Sequence, residues 1–167
     1  MCRWMPILAL LAAILPGAAR AGESGIEIPM RLRTAAKGEW ALYSLQDSYE
    51  QKQTIVDIEE KDGDKVFIIA DEMLIDGQSV QRKESRFSLK VAMREQAEML
   101  ADDDSSIKLS AISERVKDKD VEVVVIEYKG EAGDTVRSFL SEAIPVTGMI
   151  RIEIDGDIMM ELKDFGY

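Results

Sequence analysis

From Glu39 to Phe165 the chain alternates with a period of two, again and again, and short turn signals interrupt the alternation. That pattern is the strongest constraint on the fold, because residues two apart share one face of a strand and a helix cannot satisfy it. Trp40, Leu42 and Ser44 fall on one face, and Ala41, Tyr43 and Leu45 on the other. Thr54, Val56 and Ile58 alternate with Gln53, Asp57 and Glu59. Val66 to Ala70 is rich in β-branched residues. Val80 to Leu89 reads as a long, more polar strand with Phe87 and Leu89 inward, and strand signals return at 107–116, 121–128, 136–140, 149–154 and 158–165. Asp62-Gly63-Asp64, Asp76-Gly77, Lys117 to Asp120, Gly130 to Asp134 and Asp155-Gly156-Asp157 supply the turns.

One segment breaks the rule. Leu89, Ala92, Met93, Gln96, Ala97 and Leu100 recur at steps of three and four, which predicts an amphipathic helix of about three turns. Phe87, Leu89 and Val91 also continue the strand alternation, so the helix start is ambiguous from pattern alone. Asp102-Asp103-Asp104 ends it. The expected fold is mainly β (α+β): a curved antiparallel sheet of about eight strands, half-barrel-like, with one inserted amphipathic helix that the sheet curls around.

Residues 1–21 read as a signal peptide. Arg3 precedes the apolar run Ile7 to Leu15, Pro16-Gly17 breaks it, and Ala19-Arg20-Ala21 has the small-x-small form of a cleavage site. The run is too short to span a bilayer, which takes about 20 residues. The expected location is periplasmic or extracellular. Residues 22–38 form an N-terminal segment in which Ile26 to Met30 is expected to pair at a sheet edge, since Pro29 has no amide donor. Residues 39–167 form a single β-rich domain.

Composition excludes much chemistry. The sequence has no His and no Asn, and its one Cys, Cys2, lies in the leader. Histidine general-base catalysis, thiol chemistry, disulfides and the usual zinc sites are therefore closed. Net charge is −11, and removal of Arg3 and Arg20 with the leader leaves 19 basic against 32 acidic residues, or −13. Nucleic acid is an improbable partner for such a chain. The two Asp-Gly-Asp triplets lack the frame of a calcium loop and suit tight turns. Asp102 to Asp104 reads as a solvated loop, and Ser105-Ser106-Ile107-Lys108 as a chance Ser-x-x-Lys match. No metal or cofactor is expected.

In the terminal hairpin, a two-residue Asp155-Gly156 loop would set Ile154 against Asp157 and mix the faces. Counting Asp157 into the loop, with a bulge, pairs Ile154 with Ile158, Ile152 with Met160, Ile150 with Leu162 and Arg151 with Glu161, which keeps one face apolar. Among the methionines, Met93 and Met160 are expected in the core and Met159 on an exposed contact surface.

Gly38-Glu39-Trp40-Ala41-Leu42-Tyr43 with Gln53-Thr54-Ile55-Val56, and Phe139 to Arg151 with Met160 to Gly166, together resemble small exported bacterial proteins of unknown function, of the planctomycete type. The resemblance covers about a third of the chain and carries no catalytic residues. More loosely, the curved sheet with one helix is similar to the outer-membrane lipoprotein carrier family, which implies an apolar lumen as a fold-level analogy. The expectation is an exported non-enzymatic protein that binds an apolar ligand, such as a lipid, or another envelope component, with Trp40, Phe87 and Met93 lining the ligand site. The alternatives are a structural or assembly protein of the envelope, and a secreted polysaccharide hydrolase using paired carboxylates. Pro145 and Gly148 read as a structural corner.

Overall fold

The computed structural model describes residue 26 and residues 28–46, 49–101, 107–130 and 132–167. The expected leader, Asp102 to Asp104 and Ser105-Ser106 lie outside the described residues. The strands are β1 (Trp40–Leu45), β2 (Tyr49–Lys61), β3 (Asp64–Ile75) and β4 (Gln78–Ser88), followed by helix α1 (Leu89–Ala101). Then come β5 (Lys108–Val116), β6 (Lys119–Lys129), β7 (Thr135–Leu140), β8 (Met149–Ile154) and β9 (Asp157–Gly166). All nine join one unclosed antiparallel sheet in the order β4-β3-β2-β1-β9-β8-β7-β6-β5, one strand more than expected. Two meanders, β1–β4 and β5–β9, therefore meet along the β1–β9 ladder, and β4 and β5 form the edges.

Turn chemistry explains the hairpins. Asp62-Gly63, Asp76-Gly77 and Asp155-Gly156 each hold two successive residues at positive φ (53° and 69°, 50° and 74°, 52° and 94°). That is the type I′ turn, whose twist matches the flanking strands and which Asp-Gly tolerates best. The triplets are thus turns, and among the described residues no His/Cys/Asp/Glu group is placed to hold a metal ion.

The last hairpin corrects the register argument. Its loop is the two-residue form, with Ile154 opposite Asp157 and Glu153 opposite Ile158. A bulge between Ile152 and Glu153 then absorbs one residue, so Ile152 meets Met160 and Arg151 meets Glu161 as the apolar face requires. Both demands are met, the turn's at the tip and the core's beyond it. A second bulge, between Ile55 and Asp57, splits the expected Thr54-Val56-Ile58 face: Gln51, Gln53 and Ile55 are buried before it, and Ile58 packs on the core after it.

The concave core unites both halves of the sheet: Tyr43, Ile55 and Phe67 with Ile126, Leu140, Ile152 and Met160. A smaller cluster on the opposite face joins Val123, Val125, Phe139, Ile144 and Ile150, so β6 is covered on both sides. Burying each such side chain contributes about 1.5–3 kcal/mol.

The expected edge strand is not seen: the described residues of the N-terminal segment form no strand, Arg31–Arg33 is a 3-10 turn, and Ile28 and Leu32 are buried in the core shared by both halves of the sheet. The helix begins where Ser88 caps it, its Oγ accepting the Val91 N–H while Asp64 Oδ1 accepts the Lys90 N–H. It docks on β3 and β4 through its first turn, with Ala92 buried and Leu89 against the core. Val91 and Met93 stay exposed.

Candidate functional site

A polar seam crosses the concave face where an apolar one is normal. Glu39 just before β1 and Ala41 and Tyr43 on it succeed one another at two-residue steps, and all three are buried. Ala41 faces Gln53 and Tyr43 faces Gln51 on β2, and Gln53 in turn faces Asp71 on β3, which faces Lys83 on β4. Cross-strand partners share a face, so the seam runs inward from the exposed β4 edge through Asp71 (8% exposed) to Gln53 (3%) and the fully buried Tyr43.

Its members are only half satisfied. Gln51 Nε2 donates to Asp71 Oδ1 at 2.6 Å. Among the described residues, Gln51 Oε1, Gln53 Oε1, the Tyr43 hydroxyl and the Thr147 hydroxyl have no hydrogen-bond partner, and nor does Ser138 Oγ further along the same face. The Thr147 hydroxyl lies near enough to Tyr43 to act on its phenol. Each orphaned buried group costs about 1–3 kcal/mol, and a folded chain tolerates few. Burial pushes the Tyr43 phenol far up, with the Thr147 hydroxyl acting against it. Burial likewise pushes the Asp71 carboxyl up, opposed by the Gln51 amide and, at longer range, by Lys83.

The seam ends in a clasp. Arg31 and Glu39 form a buried ion pair at 2.5 Å, and Arg31 also donates to Thr34 Oγ1 at 2.6 Å. Glu39 Oε2 accepts the Val146 N–H at 3.4 Å. Val146 sits at φ 64°, left-handed and fully buried, a conformation costing an L-residue about 1–2 kcal/mol. The loop that carries it is closed by the Ser141 N–H on the Gly148 carbonyl at 2.8 Å. The Tyr167 hydroxyl donates to the Ala143 carbonyl at 2.6 Å, and the Tyr167 ring centroid lies 5.9 Å from the Arg31 guanidinium. Pro145 and Gly148 are the corner that the sequence suggested, and the corner delivers Val146 and Thr147 to the seam.

The three residues expected to line an apolar site are not brought together. Phe87 faces Phe67 on the concave side. Trp40 faces the other way, packed on Gly166 with the Lys52 ammonium 5.1 Å from its ring centroid. Met93 is 38% exposed on the helix. Met160 is buried as expected, and Met159 is half-buried rather than exposed. Pattern reading missed the seam because it treats Gln and Asp as outward residues. The available signal was the exception itself: Gln51, Gln53 and Asp71 occupy the inward register of strands whose neighbours Ile55, Ile69 and Phe67 are apolar.

No family model, curated protein or solved structure matches the chain. Among the described residues no helix is long and apolar enough to cross a membrane.

Proposed function

We propose that this is an exported, non-enzymatic binding protein whose ligand, drawn from the cell envelope, engages the polar seam of the half-barrel. The observation that carries this reading is the set of orphaned polar atoms on Tyr43, Gln51, Gln53 and Thr147, buried in the concave face, with Gln51 and Gln53 two strands and Tyr43 three strands from the exposed β4 edge. Groups of this kind are retained where something polar completes them. Because Ile28, Leu32 and Val146 already fill the apolar part of the concavity, the seam favours a polar or amphipathic ligand over a wholly apolar one. A hydrolase would need two acids facing one cleft. Asp71 is one, and the other buried seam carboxylate, Glu39, is held by Arg31.

The test is native mass spectrometry of the protein recovered intact from its producing cell. A co-purifying non-protein mass that is lost on denaturation is expected, and the bare protein mass alone would overturn the reading. A second reading, assembly through sheet edges, is favoured by β4, whose residues are exposed along most of its length. It predicts concentration-dependent association in size-exclusion chromatography, and a monomer at high concentration removes it.

A further inference from the structure

The seam gathers side-chain oxygens around a carboxylate, and that cluster selects a ligand class. Gln51 spends its amide N–H on Asp71, so its unpaired atom is the carbonyl oxygen, an acceptor. Gln53 Oε1 is a second unpaired acceptor, directly across the ladder from Asp71. The Asp71 carboxylate, which accepts from Gln51, lies beside them. The Tyr43 and Thr147 hydroxyls accept as readily as they donate. Among the described residues, the one cation buried at the seam, Arg31, pairs with Glu39 at the far end, and its Nε has no partner. Lys83 is Asp71's ladder partner, but it sits exposed on the edge strand and forms no ion pair with it. Two unpaired side-chain carbonyls and one carboxylate, which accepts from Gln51, therefore cluster on adjacent positions of β2 and β3.

We infer that the seam receives a primary ammonium group, entering from the β4 edge past Lys83 and donating its N–H bonds to Asp71 and to the Gln51 and Gln53 side-chain carbonyls. An ammonium supplies three donors from one atom and offsets the carboxylate's charge, whereas a quaternary ammonium supplies the charge with no donor, and a polyol supplies donors with no charge. This assignment rests on the ligand-binding reading above and narrows it to one chemical class. A free amine and an aminoethanol lipid headgroup present the same ammonium.

Isothermal titration of the folded protein at neutral pH with ethylammonium, choline and glycerol tests it. Saturable ethylammonium binding is expected, with choline at least tenfold weaker and glycerol silent. Asp71→Asn should weaken ethylammonium at least tenfold while keeping its circular dichroism and cooperative unfolding. Lys83→Met should bind at least as tightly as the parent, because the one competing ammonium near the entrance has gone. An ethanolamine-headed lysolipid below its micelle concentration, run beside ethylammonium, separates the two sources: tighter lysolipid binding names the headgroup, and equal binding the free amine. Choline binding as tightly as ethylammonium, an unchanged Asp71→Asn variant, or no saturable ethylammonium binding would each overturn the assignment. Should the titrations fail while native mass spectrometry still finds a co-purifying mass, the ligand class falls and the binding reading stands.

Discussion

Removing Glu39 tests the clasp most severely. Its carboxylate neutralises Arg31 where both side chains are over nine-tenths buried, and its second oxygen accepts the Val146 N–H. Glu39→Ala leaves a buried guanidinium unpaired, which costs about 3–5 kcal/mol. The Val146 amide also loses its acceptor, adding about 1 kcal/mol because that bond is long. Against a total stability of roughly 5–15 kcal/mol the loss is large. With a urea m-value near 2 kcal/mol/M, the midpoint falls by about 2 M. The assay is urea unfolding followed by the fluorescence of Trp40, the only Trp after residue 4, which lies on the β1–β9 ladder where the two meanders meet. The double variant Arg31→Met with Glu39→Leu carries no buried charge and should recover most of the loss, since apolar replacement of a buried pair is commonly near neutral. A single-variant shift under about 0.5 M would refute the reasoning, as would a double variant as unstable as the two single changes summed.

Asp71→Asn should change the pH profile. The folded carboxyl titrates above its unfolded value of 3.8, so the native state holds the proton longer and stability falls as pH rises through the folded value. The variant, which keeps an acceptor for Gln51, should be flatter in urea midpoint across that range and more stable near neutrality; an unchanged slope would contradict this. Half-buried Asp57 and Glu127 and exposed Asp164 are shifted down by Lys37, Arg137 and Lys117, and their contribution has the opposite sign, present above the unfolded value and lost in acid. Gly148→Ala places a Cβ 2.8 Å from the Ser141 carbonyl at φ 78°, and should cost about 1–3 kcal/mol, read as a Tm lower by roughly 5 °C. Gly166→Ala drives a Cβ to 2.5 Å from the Trp40 ring and should shift Trp40 emission even where stability changes little. Arg151 donates to both Glu153 and Glu114 while its guanidinium lies 3.7 Å from the Phe139 ring centroid, so Arg151→Lys should cost about 1–2 kcal/mol in chemical denaturation.

Strand content, the antiparallel arrangement and the Asp-Gly turns were legible because each follows from local chemistry: alternation fixes faces, and two positive φ values demand Asp-Gly. Bulges were less legible. Nothing local distinguishes Val56 from its neighbours, and only the competition between the turn and the core across the whole ladder places the extra residue. The identity of the plug was illegible for a related reason. Leu89, Ala92 and Met93 make a convincing helical stripe, yet Ile28 and Leu32, with no period at all, bury more completely because the Arg31–Glu39 pair pins them beneath β1. The seam was hidden by the assumption that polar strand positions face water. Trp40 shows the converse error: its face was read correctly from alternation, but a large aromatic was then given to the cavity, although Ala41 and Tyr43 hold the inward positions.

The join of β1 to β9 also has a kinetic meaning. Trp40 pairs with Gly166, so the strand closest to the N-terminus waits for almost the last residues to arrive before its second ladder exists. Contacts so distant in sequence form slowly, and a nascent chain holding only the first meander has an unsatisfied strand where the second should attach. Such wiring leaves the sheet in two parts until β9 is in place, and folding then completes in one late zippering step.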